Sequence, residues 1–130
     1  MRTIMTEKAP QPAGHYSQAV VHEGVVYVSG QLPIDPHSGE KCLGSIEDQT
    51  QQVLENVAAI LEASGSSKQN VLKVSLYISD MNLWDRVNKV YSQFFGDHRP
   101  ARVVVPAGEL HYGFKIEIDA IAFVNSTQKI

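Results

Sequence analysis

Cysteine is almost missing from this chain. Cys42 is the only one in 130 residues, so no internal disulfide can form and no thiolate cluster can assemble around zinc. A secreted, disulfide-stapled scaffold is excluded, and a reducing cytoplasm is the expected setting. Long apolar runs are absent as well. No stretch approaches the roughly 20 residues of a helical membrane span, and the opening "MRTIMTEKAPQPAGHYSQ" has no apolar core of the signal-peptide kind, so no membrane is expected as a partner. Positive charge is not in excess either: 11 Lys and Arg against 14 Asp and Glu leave a net charge of -3, the wrong sign for a surface that grips phosphate backbones. Nucleic acid is not an expected partner. His22, His37, His98 and His111 show no metal-ligand spacing and read as surface or loop residues, so no metal site is expected.

What is present is apolar material in periodic order. A hydrophobic content of 43% over this length suffices for one core, and the expected organisation is a single domain over residues 1–130. There is no internal repeat, and the Pro/Gly-rich pieces at 9–14, 32–39 and 106–113 are loop-sized. Residues 17–22 and 25–31 flank Glu23-Gly24 and predict a hairpin. Apolar residues at 46, 53, 54, 57, 58, 60 and 61 follow a helical period over 46–64, with Ser45 as N-cap, Asp48 three residues on and Gly65 just past the end. In 71–78 the alternation predicts a strand with Leu72, Val74, Leu76 and Ile78 on one face and Lys73, Ser75 and Tyr77 on the other. A second helix is expected over about 82–95, with Asp80 or Asn82 as its cap, Gly96 as its stop and Trp84, Val87, Val90, Tyr91 and Phe94 as its core stripe. Strands over 101–105 and 114–124 complete a ββαβαββ order, an α+β arrangement in which two helices cover one face of a mixed sheet.

Nothing remains to cover the other face. In the last strand Lys115, Glu117, Asp119 and Ile121 oppose the apolar set Ile116, Ile118, Ala120 and Ala122. Alternation over 101–105 groups Arg102 with Val104, and the expectation is that both join Lys73, Tyr77 and Glu117 on the uncovered face. Such a surface, too polar for a core and too apolar in places for water, predicts an oligomer interface with a charged lining. Arg102 offers a planar fork matched to a carboxylate, and Glu117 a group to activate or position water. On residue chemistry alone, an ion pair across an interface explains the two more readily than an active site does.

Three stretches, "AGHYSQAVVHEGVVYVSGQLPIDPHSGE", "VNKVYSQFF" and "PARVVVPAGELHYGFKIEIDAIA", lie in order along nearly the whole chain and closely resemble the reactive-intermediate deaminase family (RidA, formerly YjgF type). The resemblance implies a chorismate-mutase-like homotrimer whose sheets pack into a central barrel, with ligand clefts between subunits. It implies cofactor-independent hydrolysis of 2-imino acids, in equilibrium with enamines such as 2-aminoacrylate, to 2-keto acids and ammonia. Carried over residue by residue, it makes Arg102 the clamp on the substrate carboxylate and Glu117 the acid that holds the attacking water or the imine nitrogen. Tyr16, Ser29, Gly30 and Val104 then line the substrate site, Gly30 by letting the ligand approach the backbone. Two departures stand out: Val104 replaces a frequent cysteine, which leaves mainly its backbone to contribute, and His15 precedes Tyr16 where the family commonly has proline. The alternative is a non-catalytic trimeric module that holds small carboxylate metabolites; it needs the arginine but not the acid.

Overall fold

The turn at Glu23-Gly24 adopts left-handed backbone at both positions (φ 50° and 78°), the two-residue geometry whose twist suits antiparallel strands. It joins β2 (Ala19–His22) to β3 (Val25–Gln31), and the pair is extended outward by β1 (Arg2–Ile4). The computed structural model describes residues 1–125. After β3 come α1 (Ile46–Ala63), β4 (Val71–Ile78), α2 (Trp84–Phe95), β5 (Ala101–Pro106) and β6 (Ile116–Phe123). One six-stranded sheet has the order β1-β2-β3-β6-β4-β5, antiparallel throughout except that β5 runs parallel to β4 at the edge.

α1 forms where its caps predict, whereas α2 begins at Trp84, later than expected, behind Leu83, which offers no side-chain cap. Ser45 Oγ accepts the Asp48 backbone N–H at 3.1 Å, and Gly65 beyond the last turn of α1 takes φ 81°. Asp80 caps a short 3₁₀ turn, Met81–Leu83, that leads into α2, and Gly96 closes the helix at φ 63°. The apolar stripes of α1 (Val53, Leu54, Val57, Ile60, Leu61) and α2 (Val87, Val90, Tyr91, Phe95) are buried on one sheet face against Val26, Val28, Val74, Leu76, Ile78, Ile116 and Ile118. Arg86 of α2 donates to both Glu47 carboxylate oxygens (2.8 and 2.7 Å) and ties the helices together at the surface. That partner holds the Glu47 carboxyl down at about 2.

The expected strand order holds, and three details differ from the sequence reading. β1 has no counterpart among the expected strands: three residues are too short for a period to show, and pairing with β2 alone makes them a strand. Leu72 does not share a face with Val74, because an irregularity between Val71 and Lys73 in the β4–β6 pairing buries Val71 and leaves Leu72 exposed. The third concerns β5. Its register sets Arg102 opposite Val74 and Val104 opposite Leu76, both core residues, so Arg102 and Val104 lie on the helix-covered face. The open face of β5 carries Ala101, Val103 and Val105 instead. Alternation says which residues share a face, but in a short strand with apolar residues on both sides it does not say which face is covered.

Candidate functional site

The β3 strand bulges where it meets β6. Val28 pairs with Ala120 and Gln31 with Ile118, so three steps of β3 match two of β6, and Ser29 and Gly30 both stand opposite Asp119. The bulge brings Gly30 against Glu117, whose side chain rises from the open face of β6. A Cβ built on Gly30 would run into Glu117 Oε2 and lie 3.1 Å from Glu117 Cδ. The room that a side chain would take here is the room the Glu117 carboxylate occupies. Burial pushes the Glu117 carboxyl above its ordinary value, the Asp119 charge adds to the rise, and His111 opposes it. Asp119 in turn accepts the Tyr77 hydroxyl at 3.2 Å, and its charge followed by burial raises that phenol.

Around Gly30 a small pocket of about 60 Å³ is lined by Tyr16, Gln18, Gln31, His111 and Tyr112. Tyr16 is half-exposed at its rim, its hydroxyl oxygen accepting the Ala13 N–H at 3.4 Å. Ser29 is half-buried; its hydroxyl donates to the Ser17 carbonyl at 2.6 Å and its N–H to the Gln18 carbonyl at 2.9 Å, so it staples the bulge to the Tyr16 loop. Gln18, fully buried, uses its amide to accept the Thr6 N–H and to donate to the Thr6 and Pro10 carbonyls, which anchors the loop from the other side. His111, read from the sequence as a loop residue, belongs to this pocket, on a 3₁₀ turn held by Tyr112 at φ 59° with the two rings 3.7 Å apart.

Arg102 stands elsewhere. Its guanidinium lies against α2, 4.9 Å from the centroid of Tyr91 and 5.5 Å from that of Trp84, and Nη1 donates to Asn88 Oδ1 at 2.8 Å. These three residues recur at i, i+4 and i+7 on one helix face. A cleft of about 430 Å³ between α2 and the start of β5 is lined by Asn88, Tyr91, Phe95, His98, Arg99 and Arg102. Burial pushes the Tyr91 phenol up to about 12 against the opposing Arg102 charge, and its hydroxyl has no hydrogen-bond partner among the described residues. Val104 packs half-buried against the core, leaving the backbone of an edge strand as what it can present.

Within one chain, then, the predicted residues fall into two groups. Tyr16, Ser29, Gly30 and Glu117 come together around the open face, whereas Arg102 and Val104 belong to the helix-covered face of the edge strand. The sequence reading missed Asn88, although a polar residue inside the stripe Trp84–Tyr91 was a signal. Among the described residues no group of three or more His, Cys, Asp or Glu is placed to hold a metal ion, and no helix is long and apolar enough to cross a membrane.

Two consequences are measurable. In Gly30→Ala the flexible end of Glu117 gives way before the backbone does, so a crystal structure of the variant should show the carboxylate swung aside over an unmoved bulge; a shifted β3 with Glu117 in place would contradict this. Glu117→Gln tests the raised titration. A carboxyl whose folded value exceeds its unfolded value, roughly 4.3, contributes stability below that value and loses it as pH rises through the folded one. The variant should therefore melt above the wild type at pH 7, with the gain gone near pH 4. A melting temperature at or below that of the wild type at pH 7 would contradict the raised titration.

The family model described as Endoribonuclease L-PSP matches residues 6–124. A RutC family protein of Pyrococcus horikoshii is 50% identical over 120 residues, covering 92% of this chain and 95% of that one. The human 2-iminobutanoate/2-iminopropanoate deaminase is 40% identical over 121 residues, covering 93% and 88%. A solved structure of a provisionally assigned endoribonuclease of Thermotoga maritima superimposes with a TM-score of 0.93 at 50% identity, covering 97% of this chain and 99% of that one. The chain belongs to the Endoribonuclease L-PSP family, the RidA/YjgF group that its three motifs resemble.

Proposed function

We propose that this protein hydrolyses reactive 2-imino acids, and the enamines in equilibrium with them, to 2-keto acids and ammonia, in clefts between the subunits of a homotrimer. The observation that carries this reading is the division of the site. A guanidinium already oriented by α2 sits on the edge strand, and a half-buried carboxylate that glycine makes room for sits on the open sheet face, so each chain carries both halves of a site for a carboxylate-bearing electrophile, on opposite faces. A second copy whose open face meets the first copy's β5 edge joins Arg102 of one subunit to Glu117, Gly30 and Tyr16 of the next. The apolar residues left out on that face, Tyr27, Ile121 and Val103, favour such a contact. The name of the human relative, a 2-iminobutanoate/2-iminopropanoate deaminase at 40% identity, supports this reading.

The chemistry asks little of the protein. Arg102 holds the substrate carboxylate and so fixes the C=N carbon. Glu117 accepts a proton from the attacking water as oxygen bonds to that carbon and returns it to nitrogen, giving the carbinolamine; it then takes the hydroxyl proton and passes it to nitrogen as the C–N bond breaks, leaving C=O and ammonia. One water is consumed and no electrons change hands, so no cofactor is called for. The rise in the Glu117 titration brings the group nearer neutral pH, where it can both take and give a proton. Ser29 and Val104 serve by shaping the cleft wall, Ser29 through the staple to Ser17 and Val104 through its edge-strand backbone. A binding module would need only the arginine; the carboxylate beside Gly30 favours the enzyme. RNA is disfavoured, because Glu117 and Asp119 on the open face and a net charge of -3 repel phosphate.

With 2-aminoacrylate generated in situ by a pyridoxal-phosphate-dependent dehydratase, the protein should accelerate keto-acid release, and light scattering should give three times 14.3 kDa. Arg102→Lys keeps the charge but loses the planar fork, and should cost roughly 2 to 4 kcal/mol in kcat/KM with little change in melting temperature. Full activity in a destabilised Arg102→Lys trimer would overturn the clamp.

A further inference from the structure

Arg102 has one hydrogen-bond partner among the described residues, and it is neutral. The comparison with Arg86, two positions before Asn88 on the same helix, is instructive: Arg86 makes two bonds to the Glu47 carboxylate, while no carboxylate of the described residues pairs with Arg102. A guanidinium has only donors, so the amide must turn Oδ1, not Nδ2, toward it, and the observed bond is Nη1 to Oδ1 at 2.8 Å. Of the five N–H groups, one is fixed by Asn88, while Tyr91 and Trp84 pack against the guanidinium at 4.9 and 5.5 Å. The remaining donors keep their full charge, on a group that lines the cleft between α2 and β5.

We propose that Asn88 is a positioning residue for Arg102, and that its being an amide rather than a carboxylate keeps the guanidinium's charge available to an anionic substrate. Aspartate would fit the same space and form a stronger, charge-assisted bond. It would also neutralise the cation internally, so that an incoming carboxylate would meet a salt bridge in place of a free fork. Orientation without neutralisation is what an amide supplies and a carboxylate cannot. Restricting a long side chain before the ligand arrives removes an ordering cost from binding. This inference rests on the reading of Arg102 as the carboxylate clamp.

The two roles order a pair of variants differently. If Asn88 only braces the fold, Asn88→Asp keeps the brace and Asn88→Ala loses it, so both stability and ligand affinity should fall most in Asn88→Ala. If Asn88 preserves the charge, the orders split. Asn88→Asp should match or exceed the wild type in melting temperature, yet bind 2-oxobutanoate, measured by calorimetry, about tenfold or more weakly, with KM rising more than kcat falls. Asn88→Ala should melt lower yet lose only about threefold in affinity. Wild-type or tighter binding in Asn88→Asp overturns the proposal. Should that variant not assemble, Asn88→Ala decides, assayed where its trimer is fully folded: an unchanged affinity overturns the proposal, and a loss of about threefold with KM rising more than kcat falls upholds it. Arg102→Ala separates this failure from that of the clamp: if it binds 2-oxobutanoate as the wild type does, the clamp reading falls, whereas if it loses binding while Asn88→Asp keeps it, only the role of Asn88 falls.

Discussion

A sheet has two faces, and the two helices of this chain bury only one of them. That constraint is written most clearly on β6, where Ile116, Ile118, Ala120 and Ala122 are buried under the helices while Glu117, Asp119 and Ile121 face outward half-buried. The neighbours follow the same division, Val74, Leu76 and Ile78 inward and Ser75 and Tyr77 outward on β4, Val26 and Val28 inward and Tyr27 outward on β3. The core fixes the sheet rigidly enough that Glu117 can be held at partial burial, with Asp119 and Tyr77 beside it. A carboxylate on a mobile loop would relax into water; one on a central strand cannot.

The same division separates the two charged groups of the site. The register of β5 on β4 commits Arg102 to the helix side, where Trp84, Asn88 and Tyr91 receive it, and no rotamer brings it through the sheet to Glu117. The split also protects each group: with Arg102 and Glu117 on opposite faces, they cannot quench one another as a salt bridge within the chain. On the proposed reading a substrate carboxylate and its imine carbon bridge the two halves across a subunit boundary, so assembly and catalysis are one requirement.

Much of this was legible before any coordinates. The helices announced themselves through Ser45, Gly65, Asp80 and Gly96, because capping is local chemistry between residues a few positions apart. β6 was legible because its alternation is complete. Illegible were the features set by distant pairing. The face of Arg102 depends on the β4 register, the exposure of Leu72 on an irregularity against β6, and the contact of Gly30 with Glu117 on a bulge between strands far apart in sequence. Asn88 falls between: its place in the stripe from Trp84 to Tyr91 was visible, but a half-buried amide acquires meaning only once Arg102 is seen to meet it. Motif resemblance named the candidate residues as a set without revealing that one chain divides them.

Subunit mixing tests that division most directly. Arg102→Ala and Glu117→Gln variants, each inactive in deamination alone, are to be unfolded together and reassembled in equal amounts. If every cleft takes Arg102 from one subunit and Glu117 from the next, random assembly into rings gives about a quarter of the clefts both native residues, and about that fraction of wild-type activity should return. If activity stays at the level of the separate variants although mass analysis shows mixed trimers, Arg102 and Glu117 do not meet across a subunit boundary, and the account of this site is wrong.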